Sequence, residues 1–355
     1  MSARWRAWAM VGALLVIWVA MSAFTSGTFL SPRNLSLLAR QMSVTSILAL
    51  GMVLVIVAGQ IDLSVGAMSG FLGAISALAL MRAGLPLPLA FLLPVLLGAV
   101  LGAVQGSLVA RLHIPPFIAT LGGMLIFQGA LLGMTGGVSI APTRSFLLVG
   151  QSYLPRVAGW SLGLLLALAI LFTHRAASRR LRGVGLAALA LGFTAVMNAY
   201  EGIPLPVVIV LALGALLSAL AERTSFGRHL YAIGGNRDAA FYAGIPIAQR
   251  IVLVFTLMGA LAGVAGVVLT ARVGAATSDA GRMMELDAIA AAVIGGTSLL
   301  GGQGRVWGAL LGALVMASLD NGMSLMNTEA FWQPILKGAI LVAAVAVDML
   351  GRRRD

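Results

Sequence analysis

Long apolar runs, each about a bilayer thick and parted by short polar or basic interruptions, recur from one end of the chain to the other. A spanning helix needs about 20 mostly apolar residues. On that template the runs fall at residues 9–24, 36–58, 63–81, 88–110, 117–134, 159–172, 184–197, 204–221, 251–271, 286–300, 306–319 and 331–349. The pattern predicts an all-α polytopic transmembrane bundle of about 12 spans, with residues 1–355 forming a single membrane domain. The third, sixth, seventh, tenth and eleventh runs are short or glycine-rich enough to be partial or tilted.

Two places break the pattern. LDAIAAAVIGGTSLLGGQGRV sets two glycine pairs and a Thr-Ser inside an almost uncharged run, and GQIDLSVG separates the second run from the third. Backbone that leaves a helix at membrane depth is tolerated only where it is buried in protein or lines a wet cavity. Discontinuous or re-entrant helices are therefore expected near Asp62 and at Gly295–Gly302, with a solute pathway beside them. One interruption in each half also hints at a repeat, and paired interruptions point to a pathway. Glycines equally permit close helix packing, so both readings stand.

The expected pathway lining is Gln60, Asp62, Ser64, Gly295, Gly296, Thr297, Ser298 and Asn321, a set with hydroxyls and amides and few ions. Asp62 has the sequence setting of a helix N-cap, and an ionisable residue inside a membrane is also a functional candidate. Glu285 and Asp287 precede the tenth run, where acids favour a helix N-terminus, and are read as structural. Lys337 is expected to snorkel to the interface; turning toward Asp320 is the other reading.

Charge fixes the orientation rather than a partner. The formal charge is +12, but the arginines sit at run ends, as topology signals do. An even span count puts Arg175, Arg179, Arg180 and Arg182 on the same side as Arg223, Arg228, Arg237, Arg250 and Arg352 to Arg354. By the positive-inside rule that side, with both termini, is cytoplasmic. No stripe suited to nucleic acid remains.

The longest polar segment, residues 222–250, reads as a short helix: Asn236 caps it, Gly244 stops it and Pro246 prevents its continuation. Ala239, Ala240, Tyr242 and Ala243 would project a small apolar face. It is either an ordinary basic loop or a helix that docks in a groove of a cytoplasmic motor. The chain has no G-x-x-x-x-G-K-[ST], so ATP chemistry would belong to another polypeptide. Of the sequence, 60% is hydrophobic, 10% charged and none is cysteine. His113, His174 and His229 lack ligand spacing, and no acid, base or nucleophile set converges. No catalytic site, metal site or cofactor is expected.

Three blocks carry a resemblance: GQIDLSVGAMSG (59–70), GRHLYAIGGNRDAAFYAGIP (227–246) and AAVIGGTSLLGGQGRVWGALLGALVMASLDNGMSL (291–325). Together they resemble the permease subunits of bacterial ABC sugar importers of the ribose, xylose and galactose type, along nearly the whole chain. The resemblance implies an inner-membrane homodimer that receives a neutral monosaccharide from a periplasmic binding protein and is driven by a cytoplasmic ABC ATPase. It places the coupling region on Gly227, Arg228, Gly235, Asn236, Ala240 and Gly244. The extra pair of runs at 159–172 and 184–197, and Gln60 where ribose-type members more often have glycine, resemble the xylose-type branch. The alternatives are a branched-chain amino acid permease and an ion-coupled secondary transporter; the latter calls for chained intramembrane carboxylates, and here only Asp62 is a fair candidate.

Overall fold

The computed structural model describes residues 3–173, 177–329 and 331–352. His174, Arg175, Arg353 and Arg354, weighed above, lie outside the described residues. The described chain folds into α-helices: α1 (Ala3–Phe24), α2 (Pro32–Val57), α3 (Val65–Met81), α4 (Leu87–Ala110), α5 (Pro116–Thr135), α6 (Arg144–Gln151), α7 (Arg156–Thr173), α8 (Ala177–Asn198), α9 (Leu205–Arg223), α10 (Ser225–Gly235), α11 (Arg237–Tyr242), α12 (Ile247–Val273), α13 (Met284–Ile294), α14 (Val306–Leu325) and α15 (Trp332–Arg352). No strand occurs among the described residues. Among the described residues eight helices are long and apolar enough to cross a membrane, and α1 and α3 contribute shorter apolar stretches. The protein is a polytopic helical membrane bundle.

The second half of α2, apolar all round, becomes the axis, as expected for a segment that meets protein on every side. Ser31 accepts a hydrogen bond from the Asn34 amide at 3.3 Å and Pro32 starts α2, a serine cap followed by proline. From there α2 runs through SILALGMVLVIV with 83% of its most apolar stretch buried, against 17% for α7. The hairpin α7–α8 is thus peripheral and shows large apolar side chains such as Leu165 and Leu189 outward.

Against α2 lie α12, α13 and α14, and α12 crosses α4 at very short range. A Cβ on Gly98 or Gly102 would strike the backbone of Gly259 and Phe255, and one on Gly263 would strike that of Pro94. Small residues let the two backbones meet, which is how dispersion packing is gained where lipid removes the hydrophobic drive.

The predicted breaks are present: α2 stops at Val57 and α3 starts at Val65, while α13 stops at Ile294 and α14 starts at Val306. The tenth run is an 11-residue helix, only about 16 Å long. It is preceded by residues 274–283, which are irregular and fall between the ninth and tenth apolar runs. Two further short helices, α6 and α10, were absent from the run pattern.

Candidate functional site

One cluster of candidate residues forms where α10, the end of α2 and the loop after α13 meet. Thr224 Oγ1 accepts the Gly227 amide at 3.3 Å to open α10, and Leu230 and Ile233 seat the helix in the core. A Cβ on Gly227 would meet the Ala221 carbonyl, and one on Gly234 would meet the Val57 carbonyl and the Gly302 amide. Across that contact the Gly302 amide donates to the Val57 carbonyl at 2.9 Å. The Tyr231 hydroxyl donates to the Gly304 carbonyl at 2.9 Å. Burial, followed by the nearby Glu222 charge, pushes the Tyr231 phenol up, so it remains a donor. The joint is glycine on glycine, closed by two hydrogen bonds.

Beyond it, Asn236 caps α11 as predicted, accepting the Ala239 amide at 2.9 Å. Gly244 takes φ +77°, and the Ile245 amide returns to the Ala240 carbonyl at 3.1 Å, a left-handed helix stop. Ala240, expected on the outward face, is instead buried, because its position on this short helix turns it under toward the bundle. The outward apolar groups are Tyr242, 86% exposed, and Phe241, 67% exposed. Phe241 was missed by the sequence reading although it adjoins the residues that were picked. Arg228, Gly235 and Asn236 are exposed as well.

Gln60, Asp62 and Ser64 are all buried. Asp62 does not cap α3: Ser64 holds the N-cap position. Asp62 Oδ1 accepts the Ser64 amide at 2.9 Å and the Ser64 hydroxyl at 2.6 Å, because a two-residue reach closes a local Asx turn. Gln105 of α4 lies 3.1 Å from the same hydroxyl. Gln60 Oε1 and Gln105 Nε2 are buried without partners among the described residues.

The second glycine-rich interruption comes to the same end of the bundle. Gly295 is pressed against Gly308 and Ala309 backbone, and Gly304 adjoins Val57 and Thr297. Thr297 and Ser298 are 1% exposed, the Ser298 amide donates to the Gln303 carbonyl at 2.9 Å, and Gly296 and Gln303 are exposed. Thr297 thus packs with Gly304 beside α10, with Gly295 and Ser298 adjoining, while Asp62 and Ser64 lie at the start of α3, where Ser64 meets Gln105 of α4 and Gly66 stands against Glu285.

Asn321 is elsewhere. It exchanges two hydrogen bonds, at 2.8 and 3.1 Å, with Asn34 near the start of α2. From Asn34 to Val57 the helix rises about 35 Å, so Asn321 and the Gly302 loop stand at opposite ends. Its amide is spent on helix pairing.

Lys337 does not snorkel. Its Nζ lies 2.9 Å from Asp287 Oδ2 and 2.9 Å from Asp320 Oδ2, tying α15 to α13 and α14. Two carboxylates offer more than the interface could, so the side chain turns inward. Among the described residues no group of three or more His, Cys, Asp or Glu could hold a metal ion.

The family model described as branched-chain amino acid transport system, permease component, matches residues 34–345. The xylose transport system permease protein of Escherichia coli is 43% identical over 98% of this chain and 92% of its own length. The Haemophilus influenzae xylose permease is 42% identical over 97% and 96%. The Bacillus subtilis ribose import permease is 35% identical over 94% and 90%. No solved structure matches the chain. With a multi-helical membrane fold and a match from α2 to α15, the chain belongs to this family of transport permease components.

Proposed function

We propose that the protein is the membrane-spanning subunit of an ATP-driven importer for a neutral monosaccharide, with xylose the preferred substrate. The carrying observation is the identity of 43% to a xylose permease over 98% of the chain, against 35% to a ribose permease over 94%. On this reading two copies sit in a bacterial inner membrane with both termini cytoplasmic, consistent with the basic loops. A periplasmic binding protein delivers sugar, and a cytoplasmic ABC ATPase supplies energy.

The ATPase docks on residues 222–250, where Phe241 and Tyr242 offer an exposed apolar knob flanked by Arg228 and Arg237. Ala240 supports the knob from beneath. Gly227 seats α10, while Asn236 and Gly244 fix both ends of α11. A force on this segment reaches the membrane through the Gly234–Gly302–Val57 joint, where backbone meets backbone. Thr297 and Ser298 lie just behind that joint and act as its backing, while Gln60, Asp62 and Ser64 stay at the start of α3 with Gln105 as candidate lining of the sugar path.

The test is uptake of labelled xylose, ribose and leucine into proteoliposomes that hold the chain with its ATPase and binding protein. ATP-dependent xylose uptake is expected. ATP-dependent leucine uptake instead would favour a branched-chain amino acid importer, the second reading, which the family's own description favours. Gradient-driven uptake without the ATPase would overturn both.

A further inference from the structure

The irregular stretch between α12 and α13, residues 274–283, penetrates the bundle. Ala276 packs with Ala74 and Ala77 of α3, Ala280 backbone stands against Gly70, and Gly281 backbone against Gly66. From Ala77 back to Gly66, α3 spans about 16 Å, roughly half of a hydrocarbon core about 30 Å thick. The stretch therefore carries non-helical backbone to mid-membrane, where it must be buried or border water.

Its charges say which. Asp279 and Arg282 pair at 3.4 Å, with side chains 71% and 68% exposed. Lipid at this depth would not accept such groups, which turn to protein or a water-filled space. Beside them opens a cavity of about 450 Å³ lined by Asp279, Arg282, Leu286, Asp287, Gln333 and Lys337 among others, within the range of about 300–1,000 Å³ usual for small-molecule sites. Lys337 holds Asp287 at 2.9 Å, and Asp320 Oδ1 behind it is buried without a partner among the described residues.

We propose that this cavity is a transit subsite for a neutral monosaccharide. Two cations and two anions line it, so no net charge selects an ion. Carboxylates accept from sugar hydroxyls, while Arg282, Lys337 and Gln333 donate to them. This subsite rests on the importer reading, and it moves the sugar path away from the closed Gly295–Ser298 turn.

The chain has no cysteine, so single cysteines report accessibility directly. In the complete importer, Leu286→Cys and, as a second reporter, Leu341→Cys are expected to react with a membrane-impermeant maleimide, more slowly with xylose under turnover. Leu165→Cys on the outer face of α7 should not react. Arg282→Gln is expected to lower ATP-driven xylose uptake about tenfold, the scale of one lost charged hydrogen bond, with ATP hydrolysis retained. Unreactive cysteines at both cavity positions, in importers that still transport, would overturn the subsite, as would unchanged uptake by Arg282→Gln. Failure of the importer reading would be seen separately, as absent ATP-driven uptake by the unmodified assembly.

Discussion

The bundle contains two interruptions that carry carboxylates, and they are built in opposite ways. At residues 58–64 the chain leaves a helix and closes on itself: Asp62 is 1% exposed and bonded to Ser64, with Gln105 behind. At residues 274–283 Asp279 and Arg282 remain more than two-thirds exposed beside a cavity. A break in a membrane helix therefore does not by itself mark a passage. What matters is whether its charged groups are shut away and bonded locally or left exposed to exchange partners with a solute.

The hardest test of the open side is Lys337→Met. Two carboxylates would be left facing each other without their shared cation, and removing one partner from a buried ion cluster costs about 3 kcal/mol or more. Chemical unfolding in detergent should register that loss. A loss below about 1 kcal/mol, the value of a solvated surface pair, would mean that the triad is already hydrated and adds little to holding α15.

The closed side is tested by Ser64→Ala against Ser278→Ala. Ser64 is fully buried and joins Asp62 to Gln105, so truncation leaves acceptors unpaired and should destabilise by about 2 kcal/mol. Ser278 lies in the open stretch and is half-buried, so its truncation should stay within about 0.5 kcal/mol. Equal effects in the same unfolding assay would break the distinction between the two interruptions.

Much of this was legible in the sequence because membrane helices follow length and hydropathy closely. The ends of α4, α9 and α12 fall within a few residues of the apolar runs, and the breaks after Val57 and Ile294 follow from glycine content. The Asn236 cap and the Gly244 stop were readable because both act through local backbone. Pairings across the fold were not. Asn321 is satisfied by Asn34, 287 positions away, and Lys337 by Asp287, 50 positions away. A one-dimensional pattern registers neither of these partners; for Lys337 it reached only Asp320, across the hairpin of the last two runs, which also pairs at 2.9 Å. Residues 274–283 escaped for a related reason: their polar character resembles that of a surface loop, and only packing against Gly66 and Gly70 puts them in the interior.

The smallest expected effect concerns the surface outside both interruptions. Asn236→Ala removes the side-chain acceptor for the Ala239 amide and should cost about 1 kcal/mol, all of it local to α11. A helix of 6 residues has no reserve against that loss, since short helices are marginal without support. The expected outcome is weaker ATPase binding by about fivefold, with the melting of the membrane bundle unchanged. If binding weakens and the bundle melts earlier as well, the docking segment shares its stability with the closed interruption through Gly234, and the two regions act as one unit. If neither changes, Phe241 and Tyr242 dock without a preformed helix, and the closed joint at Gly234 and Gly302 becomes the first place where the segment gains a fixed shape.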